Sequence, residues 1–99
     1  MPIACTLTAT QMADRRAEMA AIGRAALLGV DEDDARAVVR FRADAETRRR
    51  LEAIVAAEAE CCAFLDLALR DEQDALALTI GAPPEARPVR DELVAAFGA

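Results

Sequence analysis

Residues 65–80 read LDLALRDEQDALALTI, and this stretch decides the fold. Leucine or isoleucine occupies every second position on either side of a polar centre, at Leu65, Leu67, Leu69, Leu76, Leu78 and Ile80. Because successive side chains of a strand point to opposite faces, this alternation is typical of two half-buried strands. The polar residues 71–74 between them predict the turn of a β-hairpin.

A second hairpin is predicted earlier in the chain. Residues 36–42, RAVVRFR, alternate between an apolar set and a set that is mostly arginine, and residues 27–30 supply an apolar partner strand. The acidic residues 31–34 form the predicted turn. Four consecutive acids suggest calcium, but they lack the spaced ligands, the glycine and the final glutamate of an EF-hand loop, so we interpret them as a solvated turn.

Three helices flank the hairpins, over residues 9 to 23–26, 44–62 and 85–97. A T-x-x-Q capping box at residues 8–11 begins the first helix, Asp44 caps the second, and Gly98 ends the third. The order α-β-β-α-β-β-α predicts one α+β domain over residues 1–99, with a four-stranded antiparallel sheet in one layer and helices on one of its faces.

The uncovered face offers a surface on which two subunits pair, so we expect a homodimer. The helix-hairpin unit occurs twice, but no internal repeat is convincing.

The composition excludes several kinds of site. The chain has no histidine and no lysine, and its 12 basic residues are all arginine. Without histidine there is no Ser-His-Asp or Cys-His catalytic arrangement and no His-containing zinc site, and without lysine there is no Schiff-base nucleophile. The net charge of −6 argues against a nucleic-acid partner, which would require a basic face.

The sequence also predicts where the chain works. No segment approaches the roughly 18 apolar residues of a membrane span, so no membrane partner is expected. Residues 1–3 lack the basic region and the long apolar core of a signal peptide. We therefore expect a cytoplasmic protein whose thiols are mostly reduced. Three cysteines suit no disulfide framework, and a bridge between neighbours would be strained, so free thiolates or a bound soft ion are expected.

The candidate site lies in residues 58–65, EAECCAFL, where the second helix ends. Leu51, Ile54, Val55 and Cys62 recur at helical spacing and predict an inward face. At about 100° per residue, Glu58 lies between the directions of Cys61 and Cys62, one turn back. Burying a carboxylate without a partner is costly, so its presence on this face suggests a role at the thiols. The alternative is that the cysteines pack as small apolar side chains, with Glu58 reaching solvent or pairing with an arginine.

Cys5 supplies the third thiol. It lies just ahead of the first helix, where the helix dipole would favour its thiolate if the chain folds back over that end. Side chains at Cys61 and Cys62 diverge by about 100° in a helix, so both can bind one ion only if Cys62 has left the helix. Sulfur ligands select soft ions such as Zn(II), Cu(I) and Hg(II), and by the same logic As(III). Glu58 would be a fourth ligand or would orient the thiolates.

Three short motifs resemble a family of small bacterial proteins of unassigned function: CTL at residues 5–7, E-x-E-C-C-x-F-L at residues 58–65 and I-G-x-P at residues 80–83. The resemblance extends over most of the chain. Some members of that family lie near, or are fused to, metal-responsive regulators and mercury or arsenic resistance functions. The resemblance implies that the cysteine motif forms the site, and that its ligand is a metal or metalloid.

Three functions remain open at this point. The first is a thiolate-based binding protein for a soft metal or metalloid ion, acting as scavenger, carrier or sensor module, with Cys5, Cys61 and Cys62 as ligands and Glu58 in support. The second is a structural or partner-binding domain whose cysteines are packed. The third is a small thiol enzyme in which one cysteine attacks, another resolves, and Glu58 moves the proton. The lack of histidine and of a C-x-x-C motif counts against the third.

Overall fold

The computed structural model describes residues 8–61 and 64–98. Its elements are α1 (Ala9–Ala26), β1 (Leu27–Glu32), β2 (Arg36–Arg42), α2 (Ala45–Cys61), β3 (Asp66–Asp71), β4 (Ala75–Gly81), a 3-10 turn (Pro84–Ala86) and α3 (Arg87–Phe97). The predicted α+β class and element order are confirmed. The short apolar stretch at residues 2–7 predicts a strand stub or an extended lead-in, and this prediction falls outside the described residues. Within the described part of the chain, no helix is both long and apolar enough to cross a bilayer.

The four strands form one antiparallel sheet in the order β1-β2-β4-β3. The two hairpins meet through their second strands, so β1 and β3 are the edges. β3 and β4 begin 39 residues after β1 and β2, and Val39 pairs with Leu78, its own equivalent in the second hairpin. The sheet is therefore a quasi-two-fold repeat of one hairpin. The sequence shows no clear repeat because equivalent positions carry different side chains, such as Arg40 and Thr79.

One face of the sheet forms the core. The alternating positions of the two central strands are fully buried there: Ala37, Val39, Phe41, Leu76, Leu78 and Ile80. All three helices add side chains to the same cluster: Met19, Ile22, Leu51, Ile54, Leu93 and Phe97. The rings of Phe41 and Phe97 meet edge to face at 5.2 Å between centroids. The helices thus cover one face, and the opposite face has no helix of the described chain packed on it.

The predicted starts of α1 and α2 are confirmed by their hydrogen bonds, whereas α3 begins at Arg87, two residues after the predicted start, because Pro84–Ala86 form the 3-10 turn. The Thr8 hydroxyl accepts from the Gln11 amide at 3.2 Å, and the Thr8 amide donates to the Gln11 side chain at 3.0 Å. A carboxylate oxygen of Asp44 accepts from the Thr47 amide at 2.8 Å. Gly98 ends α3 with φ of −91°, so it does not use the left-handed conformation that favours glycine at helix ends.

A buried arginine fixes α3 to the first hairpin. Arg90 is 1% exposed, and its Nη1 donates to the carbonyl of Asp33 at 2.8 Å. Its guanidinium also pairs with Asp91 at 3.0 Å. The Asp33 side chain in turn accepts from the amides of Ala35 and Arg36, both at 2.8 Å. The acidic link is therefore a turn, as predicted, although β1 continues to Glu32 and α3 contacts the turn directly.

Acid is expected to destabilise the fold through three carboxylates. Hydrogen bonds from Arg50 hold the pKa of Glu18 below its ordinary 4.5, while backbone amides, of Arg36 and Thr47 respectively, hold the pKa of Asp33 and Asp44 below their ordinary 3.8. A carboxylate with a lowered folded-state pKa stabilises the fold at pH above its unfolded value, and this contribution is lost as pH falls through the folded value.

Urea unfolding at a series of pH values should show stability falling as the pH drops through these ordinary values and below. The Asp44→Asn variant should lose less stability in acid than the parent, because asparagine keeps the helix cap and does not titrate. An identical acid dependence in the parent and the variant would contradict the assignment to Asp44.

Candidate functional site

The inward stripe of α2 includes a carboxylate. Leu51 and Ile54 are buried, and Glu58 is buried with them at 3% exposure. These residues are spaced by three and four positions, so they lie on one side of the helix. The expectation that Glu58 points into the molecule is therefore confirmed. Glu58, a charged residue near the end of α2, therefore lies about one helical turn after the core residue Ile54.

The charge of Glu58 is paired with Arg15 on α1. Arg15 Nη1 donates to Glu58 Oε1 at 3.2 Å, and the two side chains are 18% and 4% exposed. Pairing with an arginine was one of the alternatives for Glu58. From sequence, Met12, Met19, Ile22 and Ala26 define one side of this helix, which predicts that Arg15 lies largely elsewhere, and this prediction is wrong. A signal was present, because Arg15 precedes the buried Met19 by four positions and therefore shares its side of the helix.

A second pair joins the same two helices. Arg50 donates to both carboxylate oxygens of Glu18, from Nε at 3.0 Å and from Nη2 at 2.8 Å. The side chain of Arg50 is 26% exposed. From sequence, the arginine run at residues 48–50 predicts a solvated face, with Arg50 paired with Glu46 one turn earlier. The bidentate contact with Glu18 takes its place, because two parallel hydrogen bonds hold a guanidinium better than one flexible pair on the same helix.

The two pairs fix the direction of α1 against α2. Arg15 contacts Glu58 near the end of α2. Glu18, which follows Arg15 on α1, contacts Arg50, which precedes Glu58 on α2, so the two helices run in opposite directions. The start of α1 and the end of α2 therefore lie at the same end of the helix pair. An open cleft of about 330 Å³ lies along this contact, lined by Gln11, Asp14, Arg15, Glu18 and Ile54.

The predicted thiol ligands fall where the structure gives no description. Cys5 and Cys62 lie outside the described residues, and of Cys61 only the backbone is described, as the last residue of α2. The condition under which both thiols could bind one ion, that Cys62 has left the helix, falls on the same undescribed residues. Among the residues that are described, no three histidine, cysteine, aspartate or glutamate side chains are grouped so as to hold a metal ion.

The described part of the site is thus a charge-balanced pair beside the thiol sequence. Arg15 and Glu58 together carry no net charge, and one carboxylate oxygen of Glu58 is engaged by the guanidinium. A carboxylate accepts hydrogen bonds at both oxygens, so Glu58 can also orient a neighbouring thiol. Comparison of the chain with protein-family models, with curated proteins and with solved structures found no match.

Proposed function

We propose that the protein is a thiolate-based binding protein for a soft metal or metalloid ion, with Cys5, Cys61 and Cys62 as ligands. The observation that carries the proposal is the burial of Glu58 at 3% exposure, one helical turn before the two adjacent cysteines. Burial of a charged group is costly and needs a reason. Support for neighbouring thiolates is such a reason, since groups that hydrogen-bond to ligands tune the affinity of a metal site.

The antiparallel helix pair supports a contribution from Cys5. Thr8, the cap of α1, lies at the end of the pair where α2 finishes. Cys5 precedes Thr8 by three residues, and three extended residues span about 10 Å. Cys61 follows Glu58 by three residues, a rise of about 4.5 Å along the helix. A chain of this length allows Cys5 to return toward the end of α2, which supports its assignment as the third ligand.

Three thiolates suit the coordination of Hg(II), As(III) and Cu(I), and Zn(II) would need one further ligand. The contact between Arg15 and Glu58 favours an orienting role for the carboxylate over that of a fourth ligand, because Arg15 already occupies Oε1. A cytoplasmic setting fits this chemistry, since thiols remain reduced there and can bind soft ions. A role in metal or metalloid resistance is part of the same proposal.

Native mass spectrometry tests the proposal. Reduced protein is titrated with Zn(II), Cu(I), Hg(II) or As(III) in the presence of excess glutathione, beside the Cys61→Ser/Cys62→Ser double variant and the Cys5→Ser variant. We expect one ion per chain for the parent, no adduct for the double variant, and at least a tenfold weaker adduct for Cys5→Ser, because one of three ligand bonds is lost. Retention of the ion by the double variant would overturn the proposal.

A structural domain with packed cysteines is the second candidate. The pairing of Glu58 with Arg15 favours it, because the pair already explains how the carboxylate is tolerated in the interior. If the cysteines are only packed, excess glutathione should remove any ion bound to the protein. Each Cys→Ala change would then cost about 1 kcal/mol of stability and alter nothing else. The titration and a urea unfolding curve of the same variants therefore separate the two candidates.

A further inference from the structure

The two edges of the sheet are covered unequally. On β3, Leu67 and Leu69 pack against the core, and α2 lies against this strand. By residue number their equivalents on β1 are Leu28 and Val30, which are 60% and 40% exposed. They are the exposed large hydrophobic residues of the described chain. The pairing of β1 with β2 shifts register between Leu27 and Gly29, so Leu27 and not Leu28 pairs with Phe41. Val30 is thus open to solvent where its equivalent Leu69 is protected, and the register shift adds the exposed Leu28 to the same open edge.

The exposed residues coincide with unpaired backbone. β1 pairs only with β2 in the described sheet, so its outer side presents unpaired amide and carbonyl groups, with an irregularity between Leu27 and Gly29. An open strand with apolar side chains is a surface for pairing with another strand, and protein edges usually carry charges or cover to prevent it. Val30 faces the helix layer, since it pairs with the fully buried Val39, yet it is left without cover.

Charges are arranged with opposite signs at the two ends of β1. The start of β1 adjoins two exposed arginines, Arg24 in the last turn of α1 and Arg42, whose guanidinium donates to the carbonyl of Ala25 at 2.6 Å. The end of β1 carries the exposed acids Asp31 and Glu32. In the described chain, Arg24 and Glu32 make no ion pair or side-chain hydrogen bond, so both charges are free for a partner.

This layout is complementary to itself. We propose that β1 pairs antiparallel with β1 of a second copy, about a two-fold axis at Gly29, which joins the two sheets into one. In this register Leu28 of each copy lies opposite Val30 of the other, so this apolar contact forms twice. Glu32 of each copy reaches Ala26 of the other, next to Arg24. Parallel pairing would place acids against acids, and a register centred on Val30 would place Leu28 against Glu32, so neither is favoured.

The test is the association of the full, reduced chain, with a chelator present to exclude dimers linked by an ion. Sedimentation equilibrium of the parent should show a monomer–dimer equilibrium. Val30→Lys should raise the dissociation constant at least about a hundredfold, because lysine on an edge strand disfavours pairing. Arg24→Glu and Glu32→Arg should each raise it about tenfold, because each change removes two symmetric ion pairs.

The combination of both reversals should return the dissociation constant to within about threefold of the parent value, because the pairs are rebuilt with exchanged signs. Arg70→Glu, a reversal of an exposed arginine on β3, serves as the matched control and should leave the equilibrium unchanged. A chain that stays monomeric at millimolar concentration would overturn the proposal. So would a dimer that Arg70→Glu weakens as much as Arg24→Glu, or one that the combined reversals do not restore.

Discussion

Replacing Gly23 with alanine is expected to lower the free energy of unfolding by about 3 kcal/mol or more, because overpacking of a close backbone contact cannot relax through a side chain. Gly23 is buried in α1, and a Cβ atom there would lie 1.7 Å from the carbonyl oxygen of Phe97 and 2.8 Å from its carbonyl carbon. Both are backbone atoms, so α3 would have to move. Phe97 would then lose its packing on Phe41 in the centre of the core.

Urea unfolding followed by circular dichroism measures this loss. Alanine is favoured over glycine inside a helix by about 1 kcal/mol, so a destabilised Gly23→Ala variant can only reflect the contact with α3. Gly98→Ala is the matched control, because its Cβ would meet the Ala95 carbonyl at an ordinary 3.7 Å. The control should stay within about 0.5 kcal/mol of the parent. Equal stability of the Gly23→Ala variant would show that α1 and α3 do not approach so closely.

The strands could be predicted from the sequence because their signal is local. The alternation in residues 65–80 sets both the hairpin and its inward face, and Leu76, Leu78 and Ile80 are indeed fully buried. The helix starts were equally local, since a cap and its partner lie within one turn. These features need no knowledge of the rest of the chain.

The contacts that join the elements could not be read in this way. Gly23 looks like any glycine within a helix until α3 is placed against it. The pairing of β2 with β4 joins two hairpins distant in sequence, and alternation alone does not select it. Arg50 had a favourable local partner in Glu46, but the contact across the helix pair with Glu18 was available only after folding. Local patterns therefore determine elements, and long-range packing decides which of several partners a side chain meets.

In the candidate site, too, the local feature could be predicted from the sequence and the long-range contact could not. The inward direction of Glu58 followed from helical spacing, and its burial agrees with that prediction. Its partner Arg15 lies 43 positions away in the chain, and the apolar spacing of α1 predicts that Arg15 lies largely away from the inward side. Yet Arg15 is spaced with Met19 and Ile22, so its position relative to these two residues predicts that it lies on the inward side of α1. A charged residue on an inward stripe predicts a residue of opposite charge on the facing helix.

Removing Arg15 is expected to have the second large effect. Arg15→Met leaves the carboxylate of Glu58 at 3% exposure without this guanidinium, and loss of one member of a buried pair costs about 3–5 kcal/mol. Because the Arg15 side chain is 18% exposed, solvent screens part of the pair and the lower end of that range is expected, about 3 kcal/mol. The Arg15→Met/Glu58→Met double variant should regain most of the loss, since methionines of similar length pack without a buried charge.

The same variants decide what the pair does for the proposed ion site. Glu58→Gln keeps the shape of the side chain and an oxygen that accepts from Arg15, so its cost in stability should be well below that of Arg15→Met. If Glu58 orients the thiolates, this variant should bind the ion 10- to 100-fold more weakly, which is the usual cost of losing a supporting hydrogen bond at a metal site. If the pair is purely structural, ion affinity should be unchanged while the double-mutant cycle still reports a coupling between Arg15 and Glu58. Unfolding and ion titration of one set of variants therefore separate a carboxylate that serves the fold from one that serves the site.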